Sequence, residues 1–142
     1  NKAKMMNNSK ERKDMTLYNI GAFETKTDSE MRELISIINQ VGLGTMTCDE
    51  GNICKTDCGC SLEVSECEGD LDPALREIIK ACESAGLEIS FYITHFEDEE
   101  GGYIYQNGVY EILGREDLCL RTVSDRALLA EIRRRGLTQE NL

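Results

Sequence analysis

Along this chain the apolar positions repeat first every two residues and then every three to four, and the switches between those periods mark its elements. Met15–Phe23 carries Leu17, Tyr18, Ile20, Ala22 and Phe23 ahead of polar turn residues, which predicts a strand. From Thr27 the spacing becomes helical: Met31, Leu34, Ile35, Ile38 and Val41 fall on one stripe. Thr27-Asp28-Ser29-Glu30 fits a capping box, with Glu30 reaching back to the cap amide. Gly42 is the stop, because glycine takes the left-handed conformation at little cost. Leu43–Cys48 reads as a short strand and Asp49-Glu50-Gly51-Asn52 as a hairpin turn. The returning strand runs to about Cys67, with Cys58, Cys60, Leu62 and Val64 alternating onto one face.

The pattern then recurs. Asp72 is placed to cap a second helix, with Pro73 at the first helical position, where its missing N–H costs nothing. The stripe is Leu75, Ile78, Ile79, Cys82 and Ala85, and Gly86 ends it. Leu87–Phe96 predicts a strong strand, Glu97–Gly102 an acidic turn, and Tyr103–Leu113 a further strand or hairpin broken near Gln106-Asn107-Gly108. Ser124 caps a last helix expected to bury Ala127, Leu128, Leu129 and Ile132 and to end in Arg133-Arg134-Arg135 and Gly136.

The two helical segments align at an offset of 44 residues: Met31-Arg32-Glu33-Leu34-Ile35 lies over Leu75-Arg76-Glu77-Ile78-Ile79, and Gly42-Leu43 over Gly86-Leu87. Strand–helix–strand therefore occurs twice. Right-handed crossovers then place both helices on one face of an antiparallel sheet, giving an α+β fold. In element order this βαββαβ chain resembles the ferredoxin-like arrangement, with Tyr103–Leu113 as an added edge strand and a C-terminal helix. A likeness of element order brings no function with it. Two familiar uses of that arrangement lack their residues. RNA binding wants stacking aromatics on central strands, whereas the third strand offers Asp57, Ser61, Glu63 and Ser65 outward. Metal carriage wants cysteines in the first strand–helix loop, where Glu24-Thr25-Lys26-Thr27 has none.

Length and charge narrow the class. The 142 residues fit one domain, expected over residues 14–142, after a basic arm at 1–13 expected to be disordered. No apolar run approaches the roughly 20 residues of a membrane span, so no membrane partner is expected. The net charge is −11, and the arm is itself basic, so the rest is near −15. Between Thr47 and Glu100 fifteen Asp and Glu face only Lys55, Arg76 and Lys80. Such a surface repels phosphate backbones and excludes direct nucleic-acid binding there. The seven cysteines are an odd number, which fits reduced thiols in a cytoplasm rather than a complete disulfide framework.

Candidate chemistry is sparse. Cys54-x3-Cys58 has the spacing of one zinc knuckle, but Cys58-x-Cys60 and the distant Cys67 do not make the second. Buried apolar thiols are the simpler reading, with zinc on Cys54, Cys58, Cys60 and Cys67 the alternative. His95, the single histidine, is expected at an exposed strand end beside acids that raise its pKa; a pairing with a thiol of the neighbouring strand is the catalytic alternative. Glu97–Glu100 lacks the spacing of a calcium loop. No catalytic or cofactor motif is found. The expected function is non-catalytic: a cytoplasmic acidic protein, a monomer or small homo-oligomer. It docks on a basic protein surface as regulator or inhibitor, in the manner of a nucleic-acid mimic, through Asp49, Glu50, Glu97, Asp98, Glu99 and Glu100. The alternative is a metal- or thiol-dependent sensor built on the Cys48–Cys67 cluster.

Overall fold

The first strand and helix form where the periodicity places them. The computed structural model describes residues 17–137, so the expected arm at 1–13 lies outside the described residues. Strand β1 (Leu17–Thr25) leads into helix α1 (Asp28–Val41). Thr27 caps α1 by accepting from the Glu30 N–H at 3.1 Å, and its own hydroxyl donates to the Glu30 carboxylate at 2.9 Å. Strands β2 (Ile53–Thr56) and β3 (Gly59–Glu68) follow, then helix α2 (Asp72–Ser84) and strand β4 (Ser90–Glu97). Strands β5 (Gly101–Gln106) and β6 (Val109–Leu113) and helices α3 (Arg115–Thr122) and α4 (Asp125–Arg134) complete the α+β chain. Among the described residues six strands form one antiparallel sheet in the order β2-β3-β1-β4-β5-β6.

Both helical stripes meet one face of that sheet. Met31, Leu34, Ile35 and Ile38 of α1 and Leu75, Ile78, Ile79 and Cys82 of α2 share a core with Phe23, Leu62, Val64, Phe91, Ile93 and Tyr103. Each apolar side chain removed from water there contributes on the order of 1.5–3 kcal/mol. Phe91 stacks on Tyr105 at 5.7 Å and tilts against Phe23 at 5.2 Å, so aromatic contacts join β1, β4 and β5 under the helices. The sheet approaches itself closely at Gly21, where a Cβ would collide with the carbonyl oxygen of Tyr92 on β4.

Several expectations are corrected. Leu43–Cys48 is not a strand; a single bridge, Leu43 to Met46, is all it forms. Gly44 sits at φ +57°, with Cys67 Sγ 2.8 Å and Glu68 O 2.9 Å from where a Cβ would stand. The Asn39 amide takes both backbone groups of Cys48, donating to its carbonyl at 2.7 Å and accepting from its N–H at 3.1 Å. Those groups are therefore withdrawn from any ladder. The sheet is joined later, by β2, so the hairpin turn falls at Asp57-Cys58 and not at Asp49–Asn52, which is a short 3₁₀ turn. Of the two forms expected for Tyr103–Leu113, strand or hairpin, the hairpin is present, as β5 and β6. Asn107 and Gly108, both with positive φ, make the two-residue turn between them. The resulting six-strand order differs from the one expected. Asp72 is not the cap of α2 but lies inside its first turn, and Asp70 accepts the Asp72 N–H at 3.1 Å instead. The last helix buries none of its side chains.

Candidate functional site

The face of the sheet away from α1 and α2 is only partly covered. In an antiparallel pair, residues directly opposite each other share a face, so the register gives its rows. Glu68, Tyr18 and Phe96 form one row across β3, β1 and β4. Ile20 and Thr94 form the next, continued by Gly102 and Leu113. Glu63, Ala22, Tyr92, Ile104 and Glu111 form a third. Helix α3 packs against β5 and β6, and the Arg121 guanidinium stands 5.8 Å from the Tyr92 ring centre, which puts α3 on this face. Ile104 and Leu113 are buried there. Over β1 and β4 the cover ends: Tyr18 is 36% exposed, Ile20 49%, Tyr92 37% and Phe96 41%.

This apolar strip is rimmed by carboxylates. Glu68 and Glu63 flank it on β3 and Glu24 stands on β1, while β1, β3 and β4 contain no Lys or Arg. Tyr18 and Phe96 lie with ring centres 6.0 Å apart at the end of a depression of about 690 Å³ that Glu68 and Glu97 also border. Sequence reasoning missed this strip because it looked for outward aromatics on β3; they stand on β1 and β4. The signal was present: β1 and β4 are apolar at both parities, whereas a one-sided antiparallel strand alternates.

The acidic residues predicted as a site do not form one cluster. Asp49 and Glu50 precede β2 at the sheet edge, where Asp49 accepts from the Gly51 N–H at 2.8 Å and Glu50 pairs with Arg32 at 3.5 Å. Glu97, Asp98, Glu99 and Glu100 form the β4–β5 connection, with β3 and β1 lying between β2 and β4. Glu97 borders the open face, and Glu100 pairs with Arg115 at 3.4 Å.

The zinc alternative finds no ligand set. Cys54 and Cys58 are exposed, and Cys60 and Cys67 are buried. Cys54 lies opposite Ser61 and Lys55 opposite Cys60, so Cys54 and Cys60 point to opposite faces. Among the described residues no three His, Cys, Asp or Glu side chains gather closely enough to hold a metal. Cys58 is in the turn rather than on the buried side of the strand; it opens onto a groove of about 570 Å³ at the other end of the sheet, beside Lys26, Glu83 and Tyr105.

His95 is not at an exposed strand end: it is buried. Its Nδ1 lies 3.1 Å from the Glu99 carbonyl oxygen, and since a carbonyl only accepts, Nδ1 carries the hydrogen. Its ring packs 5.3 Å from that of Tyr103. The Tyr103 hydroxyl donates to Asp70 at 3.1 Å and accepts the Leu71 N–H at 3.1 Å, fixing the start of α2. β4 is flanked by β1 and β5, neither of which contains a cysteine, so no ladder sets a thiol beside this imidazole. Asn19 stands opposite both His95 and Cys67 and donates to the Cys67 and Gly69 carbonyls at 2.8 and 2.9 Å. These groups tie strand ends together; they do not make a nucleophile with its base.

Compared with protein-family models, with curated proteins and with solved structures, the chain matches none. Among the described residues no helix is long and apolar enough to cross a membrane.

Proposed function

We propose that this chain is a non-catalytic interaction protein whose open sheet face docks on a basic protein surface, acting as a regulator or inhibitor of that partner. The observation that carries the reading is the strip of Tyr18, Ile20, Tyr92 and Phe96, exposed within a glutamate rim that has no cation on its three strands. Tyrosine and phenylalanine anchors at the centre of a patch supply most of an interface's affinity. A rim of one sign steers encounter and rejects partners of the same sign. The aromatics are of the type that stack on bases, but the carboxylates around them repel a phosphate backbone, so a basic protein is the better fit. Competition with nucleic acid for the partner's basic site is the mode of inhibition this chemistry favours.

We also read β1–β4 with α1 and α2 as a ferredoxin-like unit to which β5, β6, α3 and α4 are appended. The doubled strand–helix–strand order and the single core shared by both helices support this. The reading carries no activity.

The test is capture from the native host on immobilised chain, followed by binding rates for the partner across a salt series. Ile20→Asp and Phe96→Asp are expected to abolish capture, and Glu63→Lys with Glu68→Lys to slow association several-fold. Glu33→Lys on the outer side of α1 is the control. Retained capture by the Ile20 and Phe96 variants would reject the reading.

A further inference from the structure

The chain carries its own complement to the open face. In α4, Leu128, Leu129 and Ile132 recur at helical spacing, and no residue of the helix is buried. Contacts within the helix and its cap support it locally. Ser124 accepts the Ala127 N–H at 3.2 Å, and Glu131 pairs with Arg134 and Arg135 one turn on. Its charge is also distinctive: Arg126, Arg133, Arg134 and the following Arg135 outnumber Asp125 and Glu131, whereas α1 and α2 are net negative and α3 is balanced. A cationic helix with a bare apolar stripe and an anionic sheet face with a bare apolar strip thus occur in one molecule.

We propose that the open face binds α4 of a second copy of this chain, in a reciprocal two-fold dimer. The dimensions agree. Ten residues of helix span about 15 Å, and the strip runs along β1 from Tyr18 to Ala22 and along β4 from Tyr92 to Phe96, about 13 Å at roughly 3.3 Å per residue. The chain's own helix leaves the strip bare: α3 is held over β5 and β6 by the Arg115–Glu100 pair and by Arg121 over Tyr92, and α4 follows after only Val123 and Ser124 with its leucines still in solvent. Reciprocal exchange covers both strips and both helices and closes, so no open filament results. The dimer uses the face proposed for docking a basic partner but does not depend on that partner existing.

The test is sedimentation equilibrium of the full chain over a concentration series. Wild type is expected to dimerise, more weakly at high salt. Ile20→Glu, which spoils the face, and Leu129→Glu, which spoils the helix, are each expected to weaken dimerisation at least tenfold. Both positions are exposed, so unchanged circular dichroism should confirm folding. Mixing the two variants is expected to restore association in part, because one of the two reciprocal contacts then pairs an intact face with an intact helix. A wild type that stays monomeric overturns the proposal, as does a mixture that gains no association over either variant alone, or a dimer unaffected by Leu129→Glu, which would mean face packing on face. A monomeric chain that still captured a basic partner through Ile20 would sink this proposal and leave the docking function standing.

Discussion

Cys48, Cys60, Cys67 and Cys82 are buried, whereas Cys54, Cys58 and Cys119 are exposed. Thiol reagents attack the thiolate of an accessible sulfur, so a thiol titration of the folded protein should find three fast groups and four more only on unfolding. Fast reaction of all seven would contradict the packing around Cys67, whose sulfur donates to the Leu43 carbonyl at 3.3 Å. Burial pushes Cys48 up to about 11, helped by Cys67 and Asp49, and Cys82 up to about 11, helped by Glu33 and Glu83. The unfolded chain then loses these protons at lower pH than the folded one. Their contribution to stability is complete below about pH 9 and is lost as the pH rises through about 11. Melting temperatures measured under reducing conditions should therefore fall from about pH 9 upward, and Cys82→Ala should flatten that slope. Tyr105 and Tyr110, both raised first by burial, add to the loss at still higher pH. A melting temperature flat across this range would reject the assignment. At Gly21 the constraint is space. Ala there has to displace the β4 backbone, and a loss of about 3 kcal/mol is expected by chemical denaturation.

At the scale of elements, the segment between α1 and β2 is anchored at Cys48 by the Asn39 side chain. Asn39→Ala leaves the Cys48 N–H and carbonyl without their partner, at a cost of about 1–3 kcal/mol. Amide exchange at Cys48 should speed up while the centre of β1 stays protected; equal loss across the sheet would mean that Asn39 acts globally. The helices α1 and α2 were legible in the sequence because an amphipathic stripe reports its own buried side, and Thr27 and Gly42 mark the ends of α1 locally. Leu43–Cys48 was not, because a six-residue alternation becomes a strand only if a ladder partner is free, and Asn39 and Gly44 decide otherwise. Helix α3 gave no usable signal. It buries none of its side chains, and its packing against β5 and β6 is a tertiary fact. Composition showed the excess of acid but not the rim: of the six carboxylates expected as the site only Glu97 borders the depression between Tyr18 and Phe96, and Glu63 and Glu68 are placed there by the register. The apolar half of the site required the register too, which decides which parity of β1 and β4 faces outward.

Taken as a whole, the molecule has one sheet with two unlike faces, and stability should separate them. The side under α1 and α2 holds Phe23, Phe91, Ile93 and Tyr103, all nearly or fully buried. The other side leaves Tyr18, Ile20 and Phe96 in solvent, with Glu24, Glu63 and Glu68 around them. A buried ring that is removed leaves a cavity, and Phe91→Ala is expected to cost about 3–5 kcal/mol. A half-exposed side chain loses less, so Phe96→Ser and Ile20→Ser should each cost no more than about 1–1.5 kcal/mol in urea unfolding of dilute protein, where any association is absent. The same substitutions should act strongly on binding, since an exposed apolar strip gains its stabilisation only when a partner removes it from water. Net charge makes a second contrast. With −11 on the chain, salt relieves self-repulsion and should raise the melting temperature, while it weakens any contact made through the glutamate rim. Opposite salt trends for folding and for association would assign the open face to recognition. If Phe96→Ser instead destabilised the isolated chain as much as Phe91→Ala, the strip would already be covered in the free molecule, and neither a basic partner nor a second copy would find it available.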